Sequence, residues 1–313
     1  MARFPSLLPH LKQPVLIVNP VSGRGNGHGR VDYLEKVAHE LGWMGELLET
    51  SPNQHAGDLA MYAVKAGYHH IIICGGDGSV MEALDAVAGT TCILGIVPLG
   101  TGNLLSINLG LPRNTKDAMR VALNGTPKAI DIGRANGYYY GVLTGIGWDA
   151  VVIRDAKREL KDRLGLLAYF LSALKNLEHP ISTYRITVDG NPSITVRAKS
   201  VLVANMGLIP GKIEAIPKTR PDSGELTVAI VQAESMLSWL ALSVSALAGR
   251  LVDDPRLQLL VAKHVIIESL EGPQLVEADG NDLPATTTLC VDVIPGGINV
   301  LLPPVRTPKP SHT

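Results

Sequence analysis

The chain has 313 residues, 46% of them hydrophobic, 18% charged and 4% aromatic, with a formal net charge of −1. At about 100–200 residues per domain, this length suggests two domains with a sizeable core, and the apolar content excludes extended disorder. Balanced charge, a pI of about 6.8, and only 3 Trp, 8 Tyr and 2 Phe exclude the electrostatic and stacking footprint of a nucleic-acid binder.

The start, MARFPSLLPHLK, has no long apolar core and no small-residue cleavage site, so no secretory leader is read. From there to about residue 130, β-favouring runs at 15–18, 45–48, 71–74 and 93–97 alternate with helical patterns at 31–41, 56–66, 80–88 and 115–123. That alternation predicts βαβ units and a parallel sheet. After Asp131 the texture turns strand-like. TYRITVDGNPSITVRAKSVLVANM holds two alternating runs around an Asp189-Gly190 turn, a hairpin signal. Further strands are expected at 225–231, 264–268, 274–277 and 289–294, interrupted by helices at 155–177 and 235–251. The expected division is an α/β domain over 1–130, a β-rich domain over 131–303, and a frayed Pro-rich tail over 304–313.

Cys74, Cys92 and Cys290 each sit in or beside an apolar run, and no CxxC or Cys/His spacing suggests zinc. The longest uncharged apolar stretch, 236–249, falls short of the ~20 residues that span a bilayer. The expectation is a soluble chain of the reducing cytoplasm without a transmembrane segment.

Three strand ends carry glycine-rich turns. Asn19-Pro20-Val21-Ser22-Gly23 follows the first strand, Gly75-Gly76-Asp77-Gly78-Ser79 the third, and Pro98-Leu99-Gly100-Thr101-Gly102-Asn103 the fourth. Glycines at the carboxyl ends of parallel strands let a backbone approach a ligand, and a helix starting there adds N–H groups and a positive dipole end. A side chain at Gly76 is expected to fill the space beside bound phosphates. Asp77 would repel phosphate unless it binds a metal ion or a proton, so it points to chemistry; the plainer alternative is a helix N-cap. Walker-A, dinucleotide-fingerprint, HExxH and GxSxG patterns are all absent.

These elements resemble the diacylglycerol kinase catalytic-domain family, including bacterial lipid kinases and sphingosine kinases, over roughly residues 14–303. The order matches: NPxSG at Asn19 to Gly23, GGDG[TS] at Gly75 to Ser79 with Glu82 on the following helix, and PxGTxN at Pro98 to Asn103. Then come Asp131-Ile132-Gly133, a Gly-Ile-Gly-x-Asp-Ala stretch at 145–150, a DxGEL-type turn from Asp222, and Asp279-Gly280. The resemblance implies an N-terminal three-layer α/β domain and a C-terminal β-rich, sandwich-like domain, as in diacylglycerol and NAD kinases, with ATP bound between them. It places Asn19, Ser22, Gly23, Thr50, Gly75, Gly76, Gly78, Ser79, Glu82, Gly100, Thr101 and Asn103 at the nucleotide. It makes Asp77 and Asp279 catalytic, and Asp77, Asp222 and Asn281 metal positions for Mg²⁺.

The chain departs from the family pattern at several points. Asn281 stands where Asp-Gly-Glu is usual, Leu104-Leu105 where Asp-Phe is common, Met81 replaces an Asn before Glu82, and Ser223 stands where the metal-loop Asp usually precedes Gly224. Asn can ligate a metal weakly but cannot accept a proton as a base. The implied activity is ATP- and Mg²⁺-dependent phosphorylation of a diacylglycerol- or sphingoid-like hydroxyl. A non-catalytic nucleotide- or lipid-binding protein and an NAD kinase-like enzyme for a soluble hydroxyl are the alternatives. The implied partner is a lipid at a membrane surface, reached peripherally from the cytoplasm. The oligomeric state stays open between monomer and homodimer.

Overall fold

The computed structural model describes residues 12–23, 27–148, 181–209, 213–233 and 235–304. Strands β1 (Val15–Val18), β2 (Leu47–Glu49), β3 (His70–Gly75) and β4 (Ile93–Pro98) lie parallel in the order β2-β1-β3-β4. They alternate with α1 (Gly27–Glu40), α2 (Ala56–Lys65) and α3 (Asp77–Val87), and β4 leads to α4 (Leu104–Asn108) and α5 (Thr115–Asn124). Strand side chains point alternately to two faces, and both faces are covered. Ile17 and Ile73 share a core with Leu59 of α2 and Leu84 of α3, whereas Leu16 and Ile72 pack with Leu34 of α1 and Met119 of α5. Burial on both sides explains why these strands read as unbroken apolar runs. The parallel βαβ sheet is the one the sequence predicts, and its three layers are those the family resemblance implies.

The two halves share a strand pair. β5 (Thr126–Ala135) runs antiparallel to the last strand, β18 (Thr288–Leu302), from Leu302↔Thr126 to Val291↔Ala135. One end of β18 lies parallel to β4, and the other pairs with β15 (His264–Ser269), so the parallel sheet continues through β15, β8 (Ser182–Val188) and β9 (Ile194–Ala198). The sequence reading ended this last strand at Ile294, just before Pro295-Gly296-Gly297. The structure instead absorbs those residues as a register shift between Ile294 and Ile298, and pairing resumes beyond it.

A second, antiparallel sheet has the order β14 (Leu257–Ala262), β13 (Leu226–Val231), β10 (Ser200–Ala204), β7 (Leu143–Gly147), β16 (Gln274–Ala278), β17 (Asn281–Thr286). The chain passes between sheets at Lys199, since β9 belongs to the first and β10 to the second. β6 (Tyr138–Tyr140) edges β5, and β11 (Leu208–Ile209) pairs with β12 (Ile213–Glu214). The predicted Asp189-Gly190 turn joins β8 to β9 with φ of 49° and 71°, the left-handed pair that matches strand twist. Helix α6 (Met236–Leu247) starts where Ser235 accepts a hydrogen bond from the Ser238 N–H. The helix expected over 155–177 lies outside the described residues. Among the described residues no helix is long and apolar enough to cross a membrane.

Candidate active site

The three glycine-rich turns meet at the carboxyl edge of the parallel sheet. Asn19 Nδ2 donates to Ser79 Oγ at 2.9 Å, and the Gly76 N–H donates to Ser22 Oγ at 3.2 Å, so the turns after β1 and β3 are tied together. The Leu99 N–H donates to the Gly75 carbonyl at 2.8 Å, joining the turn after β4. Asn103, left-handed at φ 50°, closes that turn on itself: the Gly100 N–H donates to its Oδ1 and its Nδ2 to the Gly100 carbonyl. Thr50 sits at the same edge, its N–H on the Val18 carbonyl.

Most of the glycines sit tightly against neighbouring residues. A Cβ on Gly100 would lie 2.8 Å from the Gly76 Cα, one on Gly75 2.6 Å from the Ser79 Cβ, and one on Gly23 2.0 Å from the Leu99 carbonyl oxygen. Gly23 also has φ +75°, which side chains rarely adopt. At Gly76 a Cβ would stand in ordinary contact with Gly100, 3.4 Å from its Cα. Gly78 differs, because a Cβ there would meet nothing within 4 Å. It stands in the first turn of α3, where N–H groups have no intrahelical partner. That open, donor-bearing turn is where an anion fits.

Asp77 does not cap its own helix, since Gly76 is the N-cap of α3. Its carboxylate reaches α4, accepting from the Asn103 N–H at 2.8 Å and the Leu104 N–H at 2.6 Å. The carboxylate therefore sets the start of α4 and the position of Asn103.

Asp279 is held by the other domain. Asp279 and Gly280, with φ of 46° and 79°, form the two-residue turn between β16 and β17, where Ala278 pairs with Asn281. The carboxylate accepts from the N–H groups of Gly141 (2.6 Å), Val142 (3.0 Å) and Leu143 (2.8 Å). Its residue is only 5% exposed. Burial pushes the carboxyl up to about 6 against the pull of those three N–H groups, with the Asp77 charge adding to the rise. Asp77 and Asp279 face one cavity of about 10 Å³, walled by Val80, Met81, Leu104, Leu105, Ser106 and Val142. Asn103 belongs to this wall and also to that of a larger cavity of about 670 Å³ on the side of α1 and α5, which Gly100 and Thr101 line as well.

Other expected residues lie apart from this pair. Glu82 accepts from the Gly57 N–H at 3.3 Å, at the start of α2. Asp222 bonds Lys128 at 2.8 Å and Arg220 at 3.3 Å, and the Lys128 bond holds its carboxyl below the usual range. Asn281 is exposed at the start of β17 and lines neither cavity.

Two supporting residues escaped the sequence reading. Asn205, fully buried, donates through Nδ2 to the carbonyls of Asp131 (2.7 Å) and Gly141 (2.9 Å), and its N–H bonds the Val142 carbonyl. It fixes the segment that grips Asp279. Glu277, also fully buried, accepts from the Gly280 N–H at 2.7 Å and braces the turn itself. Asn205 had one visible signal, a lone amide ending the apolar run SVLVA.

The diacylglycerol kinase catalytic domain model matches residues 13–135, and the YegS C-terminal NAD kinase beta sandwich-like domain model matches residues 142–302. A diacylglycerol kinase of Mycobacterium tuberculosis is 29% identical over 303 residues, covering 92% of this chain and 94% of the relative. One of Bacillus subtilis is 28% identical over 274 residues, covering 85% and 88%. A solved structure of a diacylglycerol kinase from Bacillus anthracis superposes with a TM-score of 0.77 at 24% identity, over 95% of this chain and 99% of that one. An NAD kinase from Archaeoglobus fulgidus, solved with ATP, shares the fold at a TM-score of 0.52 and 11% identity, over 92% and 93%. With both domain models matched in order, the chain belongs to the diacylglycerol kinase catalytic-domain family, a family of kinases.

Proposed function

We propose that the protein is a lipid kinase that moves the γ-phosphoryl group of ATP to a diacylglycerol- or sphingoid-like hydroxyl, with Asp279 as the proton acceptor. The observation that carries this reading is the buried Asp279 carboxylate, with a pKa raised to about 6, facing a cavity of about 10 Å³ that it shares with Asp77. A base works best with a pKa near the operating pH, and the cavity of about 10 Å³ has room for a hydroxyl and little more. The hydroxyl gives its proton to Asp279 as its oxygen bonds the γ-phosphorus. The bond from that phosphorus to the β,γ-bridging oxygen breaks, and ADP leaves.

Phosphoryl transfer asks mainly for in-line placement and charge neutralisation. The first turn of α3 at Gly78 and the turn of Gly100 and Thr101 are the places for the phosphates. Asn19 and Ser22 act by locking those turns together. Magnesium would neutralise phosphate charge. A magnesium ion is commonly held by one or two carboxylates together with the substrate's phosphates. Asp77 is the carboxylate that would touch it, while Asp222 is paired with Lys128 and Arg220 and Asn281 is exposed.

The test is a labelled-ATP assay in mixed micelles against diacylglycerol, monoacylglycerol, sphingosine, ceramide and phosphatidylglycerol. Phosphorylation of at least one lipid, lost in Asp279→Asn, is the expected result. A second reading, nucleotide or lipid binding without turnover, is favoured by Asn281 in place of the family's Glu. ATP binding with no lipid phosphorylated would establish it.

A further inference from the structure

Helix α4 stands between the two carboxylates. At its start the N–H groups of Asn103 and Leu104 bond Asp77. On its next residue the Leu105 side chain lies against Gly141, where a Cβ would come 3.1 Å from Leu105 Cδ1. Gly141 is one of the three donors that hold Asp279. Leu104, Leu105 and Ser106 also wall the cavity of about 10 Å³ that the pair shares. The placement of this helix therefore sets how Asp77 and Asp279 face one another. A helix of five residues does not hold together in water on its own, so α4 depends on what grips its ends.

The far end is gripped by Asn108. Its Nδ2 donates to the Leu104 carbonyl at 2.9 Å and to the Leu208 carbonyl at 2.8 Å, and its Oδ1 accepts from the Leu208 N–H at 2.9 Å. The amide thus uses both donor hydrogens and its acceptor oxygen. Leu208 begins β11, so Asn108 ties a helix of the first matched domain to a hairpin of the second. We infer that Asn108 is a positioning residue for phosphoryl transfer: by locking α4 onto β11 it keeps Asp77 and Asp279 in their facing arrangement. It acts through α4 rather than on the reacting atoms. A displacement of about 1 Å, made far from the chemistry, can cost 10²-fold in rate, so a single amide at this joint matters. The inference rests on the kinase reading for its effect on rate, and not for its effect on α4.

The experiment compares the full chain with Asn108→Ala, Asp77→Asn and the double variant. Asp189→Ala is the control, since it too removes side-chain bonds to backbone N–H groups, those of Lys263 and His264, at the exposed turn between β8 and β9. Rates are taken below every variant's thermal midpoint. In the micelle assay Asn108→Ala should lower kcat about tenfold to a hundredfold. Its KM for ATP should stay within about threefold, because Asn103 and Gly100 close the nucleotide turn on each other. The double variant should lose less than the product of the two single losses, because both substitutions act on one carboxylate. Asp189→Ala should keep kcat within about twofold. Hydrogen exchange, which needs no activity, should show the Asn103 and Leu104 N–H groups about tenfold faster in Asn108→Ala, with those of β3 unchanged. A kcat within about twofold of wild type, an equal fall in Asp189→Ala, losses that simply multiply, or unchanged exchange at Asn103 and Leu104 would each overturn the inference. Wild type that phosphorylates no lipid contradicts the kinase reading alone, and the exchange then decides whether Asn108 holds α4.

Discussion

Two Asp-Gly turns of this molecule share a backbone and differ in everything around it. Asp189-Gly190 and Asp279-Gly280 both take left-handed φ at both positions, and both carboxylates accept N–H groups from another strand. Asp189 does so in solvent, bonding the N–H groups of Lys263 and His264. Asp279 does so in the interior, beside Asp77 and under apolar side chains. The dipeptide makes a hairpin in either place. Only burial, by raising the carboxyl to about 6, suits one of them to the proton-accepting role we propose for it. A turn motif becomes chemical through its surroundings.

The largest effect that sharpens this contrast is on rate. Asp279→Asn should lower kcat by about 10²–10⁴, measured in the micelle assay, while Asp189→Asn leaves kcat within about twofold. Equal losses would show that both turns act only by folding.

The next effect is on stability against pH. Because its pKa is higher folded than unfolded, Asp279 binds its proton more tightly in the native state. Its contribution is fully present below about 3.8 and is lost as pH rises through about 6. The difference in unfolding free energy between wild type and Asp279→Asn should therefore swing against wild type across that window, by on the order of 3 kcal/mol. Denaturant melts at several pH values would read it, and a constant difference would contradict the raised pKa.

Smaller effects belong to the glycine junction. Gly100→Ala forces its Cβ to 2.8 Å from the Gly76 Cα and should cost about 1–3 kcal/mol. Gly78→Ala, with open space around it, should cost no more than a few tenths and act on nucleotide affinity instead. The smallest expected change is at Asp222. Its pairs with Lys128 and Arg220 are partly exposed, so Asp222→Ala should cost within about 1 kcal/mol. A large rise in the magnesium requirement of that variant would return Asp222 to the metal site.

What the sequence made legible follows range. Strands such as Val15–Val18 and the turns at Gly76 and Gly100 are local signals, readable from apolar runs and glycines. The extent of β18 was hidden because Pro295-Gly296-Gly297 breaks a strand locally, and only pairing with β5 on one side shows that it continues. The grip on Asp279 was hidden for a stronger reason. Its donor Gly141 lies 138 residues away, and that donor is fixed by Asn205, whose bond to it spans a further 64. No periodicity records such a contact. The glycines were read as space for phosphate, and Gly23, Gly75 and Gly100 instead sit close against Leu99, Ser79 and Gly76, because spacing in one turn cannot show what packs against it.

The central claim is that Asp279 accepts the hydroxyl proton with a carboxyl poised near 6. Its most direct measurement is the pH dependence of kcat/KM for lipid phosphorylation by the wild-type protein. The account predicts a rate that climbs about tenfold per pH unit on the acid side and levels off above about 6, a limb that unfolding at Asp279 cannot produce because acid stabilises the protein through this group. A profile that stays flat from about pH 5 to 8, in protein that remains folded, would contradict it.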